Sequence, residues 1–302
     1  MVCPVSHQFE QTIKSDILLT GTMALSGRRS KVLIKPAKAG SGIQFLRSDV
    51  PQDKARVKAD WHHVCKIKSN YSLRNQYNVY VHRVDNLLAA LHCFGIDNAL
   101  IVLESSEVPF IHNQPSIFLD AIREVGIKQQ SKEKQVICIN QNIEVKVCDL
   151  FAIFMPASSA RISFNNLSRE QENNQILSFL HPHNGKAGDE SSGHLHQLES
   201  FSKRNNLAAH RINEITNPKQ PPGISLPSQC KADNINRNGI VSILSTMALT
   251  GITLVGHLYT NKPDNEVLHL LIDKLLNEPQ YWSHLSYSDF MNMSNGELNE
   301  IS

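Results

Sequence analysis

The residues best suited to chemistry lie in a short apolar segment, 84–91, in which Asp85 and Asn86 are the polar side chains. The segment has the composition of a helix, and Gly95 fits its C-terminal end because glycine tolerates left-handed backbone. A carboxylate in the first helical turn compensates the helix dipole, and the same group can also act as an acid or a base. Asn86 equally fits an ordinary N-cap. A structural and a catalytic interpretation are therefore both open.

Three pairs of histidines form a second candidate, because imidazole nitrogen is a preferred ligand of zinc. They are His62-His63, His181-x-His183 and His194-x-His196. The last two pairs lie in a polar stretch where we expect alternating histidines to be solvated. A relocated metal site remains an alternative to that interpretation.

Composition limits the function classes. A chain of 302 residues with 41% hydrophobic content can form two domains with real cores. A net charge of +2 and an aromatic content of 6% argue against nucleic-acid binding. The six cysteines include no CxxC pair, which indicates reduced thiols. The N-terminus lacks the pattern of a signal peptide, so we expect a cytoplasmic protein.

The uncharged run 240–256 approaches the length of a membrane span. Gly251 divides the run, with helical spacing before it and strand-like residues after it. We therefore predict a helix, a glycine stop and a buried strand, with no transmembrane segment.

The order of strands, helix, glycine, strand and helix occurs twice along the chain, which predicts an α+β fold. We expect two similar domains, each with a β-sheet and two main helices layered together. The predicted limits are 11–130 for the first domain, and 131–180 plus 236–290 for the second. Residues 181–235 are polar and without periodicity, so we predict a mobile insertion between them.

Several segments together resemble one family. They are Val84–Leu91 with Gly95-Ile-Asp-Asn98, Gly21–Gly27, Lys35-Pro-Ala37, Glu107–Gln114 and Phe154-Met-Pro156. In these segments the chain is similar to the UDP-3-O-acyl-N-acetylglucosamine deacetylases, the zinc enzymes of lipid A synthesis. The resemblance covers about residues 11–176 and 236–287. It implies a deacetylase-like two-domain sandwich.

The chain departs from the family where the resemblance places metal and catalysis. The family's two histidine ligands correspond to Asn86 and Asn238 and its aspartate ligand to Ser242, while its catalytic Glu, Lys and His correspond to Asp85, Gly239 and Asn265. Zinc prefers imidazole, thiolate or carboxylate, and neutral amide and hydroxyl groups are poor substitutes. These positions therefore predict no bound metal, no cofactor and a vestigial catalytic site.

From these replacements we expect that the chain is not an enzyme. We expect an inactive homologue that acts as a non-catalytic binding or regulatory protein in lipopolysaccharide or lipooligosaccharide synthesis, and thus in Gram-negative outer-membrane biogenesis. The expected partner is the active lipid A deacetylase or its protease or adaptor machinery. Two alternatives remain open. One is a residual deacetylase that uses Asp85, and the other is a sensor for a UDP-sugar or an acyl chain.

Overall fold

The computed structural model describes residues 7–24, 26–65, 71–111, 116–166, 175–180 and 231–299. The side chains of residues 116, 165–166, 175–180, 231–238 and 294–299 lie outside the described part. The predicted insertion lies outside the described residues as far as residue 230, and a helix begins at Lys231. The predicted domain limits stay a prediction.

The described strands, in chain order, are β1 Phe9–Ile13, β2 Ile17–Thr22, β3 Arg29–Pro36, β4 Ile43–Arg47, β5 Arg56–Lys58, β6 Val64–Cys65, β7 Ser72–Arg74, β8 Tyr80–His82, β9 Ala99–Leu103, β10 Ile127–Glu133, β11 Gln135–Ile139, β12 Ile143–Val147, β13 Leu150–Met155, β14 Arg161–Asn166, β15 Gln175–Leu180, β16 Thr253–Val255, β17 His257–Thr260 and β18 Trp282–Ser286. The described helices are α1 Asp85–Cys93, α2 Ser116–Val125, α3 Lys231–Ala248, α4 Asn265–Asn277 and α5 Tyr287–Asn299.

Two five-stranded sheets have the same topology. Their strand orders are β2-β3-β9-β4-β5 and β12-β13-β17-β14-β15. In each sheet, one pair is parallel, β4 with β9 and β14 with β17, and the other pairs are antiparallel. The repeated order, with helices packed beside each sheet, confirms the predicted α+β class.

Helices α1 and α3 bring the two halves of the fold together. Apolar residues of α1, α2 and the first sheet form one core, and those of α3, α4 and the second sheet form another. The two cores interlock, because Ala89 of α1 belongs to the second, while Ala248 and Leu249 belong to the first. The two halves therefore share a continuous apolar contact along α1 and the C-terminal part of α3.

The helix–glycine–strand prediction over 240–256 is confirmed. Helix α3 ends at Ala248, Gly251 adopts a left-handed φ of 66°, and strand β16 follows. None of the described helices combines the length and hydrophobicity that a membrane crossing requires. The described cysteines are free thiols, as expected. A cytoplasmic location stays a prediction.

Candidate functional site

Asp85 is the first residue of α1, and its carboxylate is buried. Both carboxylate oxygens accept from the backbone N–H of Tyr71, each at 3.0 Å. Oδ1 also accepts from Nδ2 of Asn265 at 3.3 Å. Burial raises the pKa of Asp85 to about 6, and these hydrogen bonds and the charge of Arg83 offset that effect only in part. The carboxyl can therefore exchange a proton near neutral pH, as acid–base chemistry requires.

Tyr71 connects the first half of the chain to helices α3 and α4 through its buried hydroxyl. The hydroxyl donates to the backbone carbonyl of Asn265 at 3.0 Å and lies 2.7 Å from Oγ1 of Thr246. Burial raises the pKa of Tyr71 far above its ordinary value, so the phenol stays protonated. Because the N–H of Tyr71 also holds Asp85, this one residue fixes Asp85 relative to the start of α4.

Asn265 places an amide group beside Asp85. It is the first residue of α4, whose N-cap Asp264 accepts from the N–H of Glu266 at 2.8 Å. Oδ1 of Asn265 is buried and has no hydrogen-bond partner within the described part of the chain. His269 lies one turn later, edge-on to the ring of Tyr71 with centroids 6.4 Å apart. Burial lowers the pKa of His269, which favours its neutral form.

Helix α3 supplies the third wall of the site. Gly239 is buried, and a Cβ at this position would lie 2.6 Å from Cγ of Pro263. Any side chain there would displace Pro263, so the position that corresponds to the family's lysine has no space for one. Ser242 is half-buried, and its carbonyl accepts from Oγ1 of Thr246 at 2.7 Å. The side chain of Asn238 lies outside the described part.

The described donors do not fit the zinc ion that the resemblance implies. Asn86 and Ser242 are half-buried and offer a neutral amide and a neutral hydroxyl. Across the residues whose structure is described, no three His, Cys, Asp or Glu side chains form a group that could hold a metal ion. A charged, nitrogen-rich ligand set is what zinc prefers. That these positions hold no metal or cofactor stays a prediction.

The one histidine pair in the described part of the chain, His62-His63, gives no support for a relocated metal site. Nδ1 of His63 lies 2.5 Å from Oδ1 of Asp60, whose side chain also caps the short helix 61–63. His62 is exposed, with its Nδ1 3.9 Å from the same oxygen. This grouping supplies one carboxylate and two histidines of very different exposure. The pairs at 181–183 and 194–196 lie outside the described residues.

The structure brings Asp85 and Asn265 together, as the resemblance implied, and Tyr71 joins them to helix α3 through Thr246. It also adds Tyr71 and Thr246, which the sequence did not single out. The contact between these two spans 175 positions of sequence. A lone tyrosine before a short strand carries no local pattern that would indicate such a partner.

Comparison with known proteins identifies the family of this site. The family model LpxC, described as UDP-3-O-acyl N-acetylglycosamine deacetylase, matches residues 10–184, more than half of the chain. A UDP-3-O-acyl-N-acetylglucosamine deacetylase of Geotalea uraniireducens is 26% identical over 288 residues, covering 91% of each chain. The enzyme of the same name from Idiomarina loihiensis is 25% identical over 300 residues, covering 93% of this chain and 94% of its own. That from Shewanella piezotolerans is 24% identical, covering 92% and 93%.

The expectation that the chain is not an enzyme is wrong. Relatives at 22% to 26% identity, matched over nine-tenths of the chain, carry the name of the deacetylase. The physical reason concerns Asp85, which the sequence analysis also allowed as a dipole-compensating carboxylate. It is instead a buried group whose pKa lies near neutrality, so it can exchange protons. Replacing the residues that correspond to the family's metal ligands changes the donors of the site but leaves a carboxyl that can exchange a proton.

Proposed function

Because the chain belongs to the UDP-3-O-acyl N-acetylglycosamine deacetylase family, we propose that it removes the acetyl group of a UDP-3-O-acyl-N-acetylglucosamine, with Asp85 as acid–base group. The observation that carries the proposal is the buried carboxyl of Asp85. It lies at the start of α1, accepts a hydrogen bond from Asn265 of α4 and has a pKa of about 6. The family match and the names of the relatives support the substrate class.

The proposed chemistry uses the residues around Asp85. The ionised carboxylate takes a proton from a water molecule as that water attacks the acetamide carbonyl carbon. The protonated carboxyl then delivers the proton to the departing nitrogen, which yields acetate and the amine. The N–H of Tyr71 and Nδ2 of Asn265 hold the carboxylate in place between the two steps. Gly239 offers no cation to the developing oxyanion, so we expect slow, residual turnover.

A product assay tests this function. Purified protein is incubated with UDP-3-O-acyl-N-acetylglucosamine, and the free amine is quantified by mass spectrometry. We expect Asp85→Asn to lower the rate about 100-fold or more, because an amide cannot accept the proton. Asp85→Glu keeps a carboxylate and should retain measurable turnover.

The matched control is Asp120→Asn, which removes an exposed carboxylate on α2 and should leave the rate unchanged. Absence of product from the wild-type protein would contradict the proposal. Equal product from wild type and Asp85→Asn would also contradict it, because the activity would then come from elsewhere.

Two further predictions concern partners and ligands. Contact with the active deacetylase, or with its protease or adaptor machinery, stays a prediction that co-purification of the tagged chain tests; recovery of neither under mild conditions would count against it. Binding of a UDP-sugar or an acyl chain should raise the thermal unfolding temperature, because a ligand that binds the native state stabilises it by mass action.

A further inference from the structure

Arg83 stands two residues before Asp85 in an unusual backbone conformation. Its φ is 60°, in the left-handed region that residues with a β-carbon rarely adopt. Such a conformation is energetically unfavourable and persists where the surrounding structure holds it, often at ligand-binding or catalytic positions. The conformation of Arg83 therefore points to a role for its side chain.

Arg83 carries a positive charge that contacts an aromatic ring. Its guanidinium carbon lies 5.7 Å from the ring centroid of Phe110, in a cation–π contact. Within the described ranges, no Asp or Glu forms an ion pair with it. Its positive charge nevertheless acts on Asp85, where it favours the ionised form. A half-buried cation next to the acid–base group is thus available to a ligand.

Phe110 gives this cation a fixed support. Its N–H donates to the carbonyl of Thr22 at 2.7 Å, and its carbonyl accepts from the N–H of Thr22 at 3.0 Å. A Cβ at Gly21 would lie 2.4 Å from the carbonyl oxygen of Phe110, so glycine permits this close approach. Phe110 is 36% exposed. A planar guanidinium can pack over an aromatic ring and still donate its N–H groups to a ligand.

We propose that Arg83, supported by Phe110, binds the diphosphate of the UDP-linked substrate. This inference rests on the proposed function for the identity of the substrate. In N-acetylglucosamine the acetamide is attached to the carbon next to the one that bears the phosphate. A phosphate-binding cation should therefore lie close to the group that acts on the amide. Arg83 stands two residues before Asp85, and its charge acts on that carboxyl. Guanidinium binds phosphate through paired, charge-assisted hydrogen bonds.

Binding of UDP, uridine and inorganic pyrophosphate by isothermal titration calorimetry tests the subsite. Wild type should bind UDP more tightly than uridine, and pyrophosphate should compete with UDP. Arg83→Gln should weaken UDP binding about 10- to 100-fold and leave uridine binding unchanged. Arg83→Lys should fall between the two, because an ammonium cannot form the paired contact.

Arg74→Gln is the matched control. Arg74 also lies over an aromatic ring, with its guanidinium carbon 5.9 Å from the centroid of Tyr80, but its charge does not contribute to the pKa shift of Asp85. Its loss should leave the affinity for UDP unchanged. Equal weakening by Arg74→Gln and Arg83→Gln would overturn the inference, because it would indicate general electrostatic attraction. No loss of affinity in Arg83→Gln would overturn it as well.

Arg83→Gly separates binding from folding, since glycine adopts the left-handed backbone without strain. We expect its unfolding temperature to match or exceed that of the wild type while UDP affinity falls as in Arg83→Gln. The outcome also distinguishes this inference from the proposed function. UDP binding that depends on Arg83 without any deacetylation would contradict the function alone, and deacetylation by an Arg83→Gln protein with unaltered UDP affinity would contradict the subsite alone.

Discussion

The raised pKa of Asp85 predicts that this residue lowers the stability of the fold as the pH rises. Its pKa is about 6 in the folded protein, against 3.8 for an ordinary aspartate. Between these values the folded state binds more protons than the unfolded state, so the free energy of unfolding decreases with increasing pH. A shift of about 2 units corresponds to about 3 kcal/mol, of which about 2 kcal/mol falls between pH 4 and pH 8.

Asp85→Asn removes this titration and keeps the size of the side chain. The free energy of unfolding of the variant, relative to wild type, should therefore increase by about 2 kcal/mol from pH 4 to pH 8. Urea unfolding followed by the fluorescence of Trp61 and Trp282 measures both proteins at each pH. Titrations that the two proteins share cancel in the difference.

The control is Asp120→Asn, an exposed carboxylate whose difference from wild type should be small at both pH values. A difference between Asp85→Asn and wild type that stays constant from pH 4 to pH 8 would refute the reasoning. It would mean that Asp85 titrates alike in the folded and unfolded states. The proposed acid–base role would then lose its physical basis.

Two other substitutions test the structure around the site. Tyr71→Phe removes the hydroxyl that donates to the buried carbonyl of Asn265, so we expect a loss of about 1–3 kcal/mol in urea unfolding; unchanged stability would show that this hydrogen bond does not join the two halves. Gly239→Ala places a Cβ against Pro263 and should destabilise the fold by about 1–3 kcal/mol. Combining it with Pro263→Ala should recover part of that loss, and a strictly additive double variant would argue against the clash.

The repeated order of elements could be predicted from the sequence because local signals specify it. The glycines after α1 and α3 mark changes in backbone direction, as Gly95 and Gly251 indicated. Strand β17 is separated from β16 by Gly256, so two short strands follow Gly251 where one was predicted. The pairing of β1 with β10 was not predicted, because the two strands are distant in sequence. Helix α5 was not predicted either, because its apolar pattern is weak.

Only part of the site could be predicted, because its contacts join residues that are far apart in the sequence. Asp85 and Asn265 were found through resemblance to a family, which carries information about contacts far apart in the chain. Tyr71 and Arg83 match no such motif, and their significance depends on a hydroxyl that reaches α4 and on a left-handed backbone. The pKa of Asp85 likewise follows from burial, which local sequence does not specify.

The central claim, that Asp85 is the acid–base group of a UDP-sugar deacetylase, is tested most directly by the pH dependence of turnover. With a pKa of about 6, the ionised fraction of Asp85 increases about tenfold between pH 5 and pH 7, and the rate under limiting substrate should increase with it. We expect Asp85→Asn to have a much lower turnover rate, which does not increase between pH 5 and pH 7. A wild-type rate that does not change across pH 6, or a variant that follows the wild-type profile, would contradict the account.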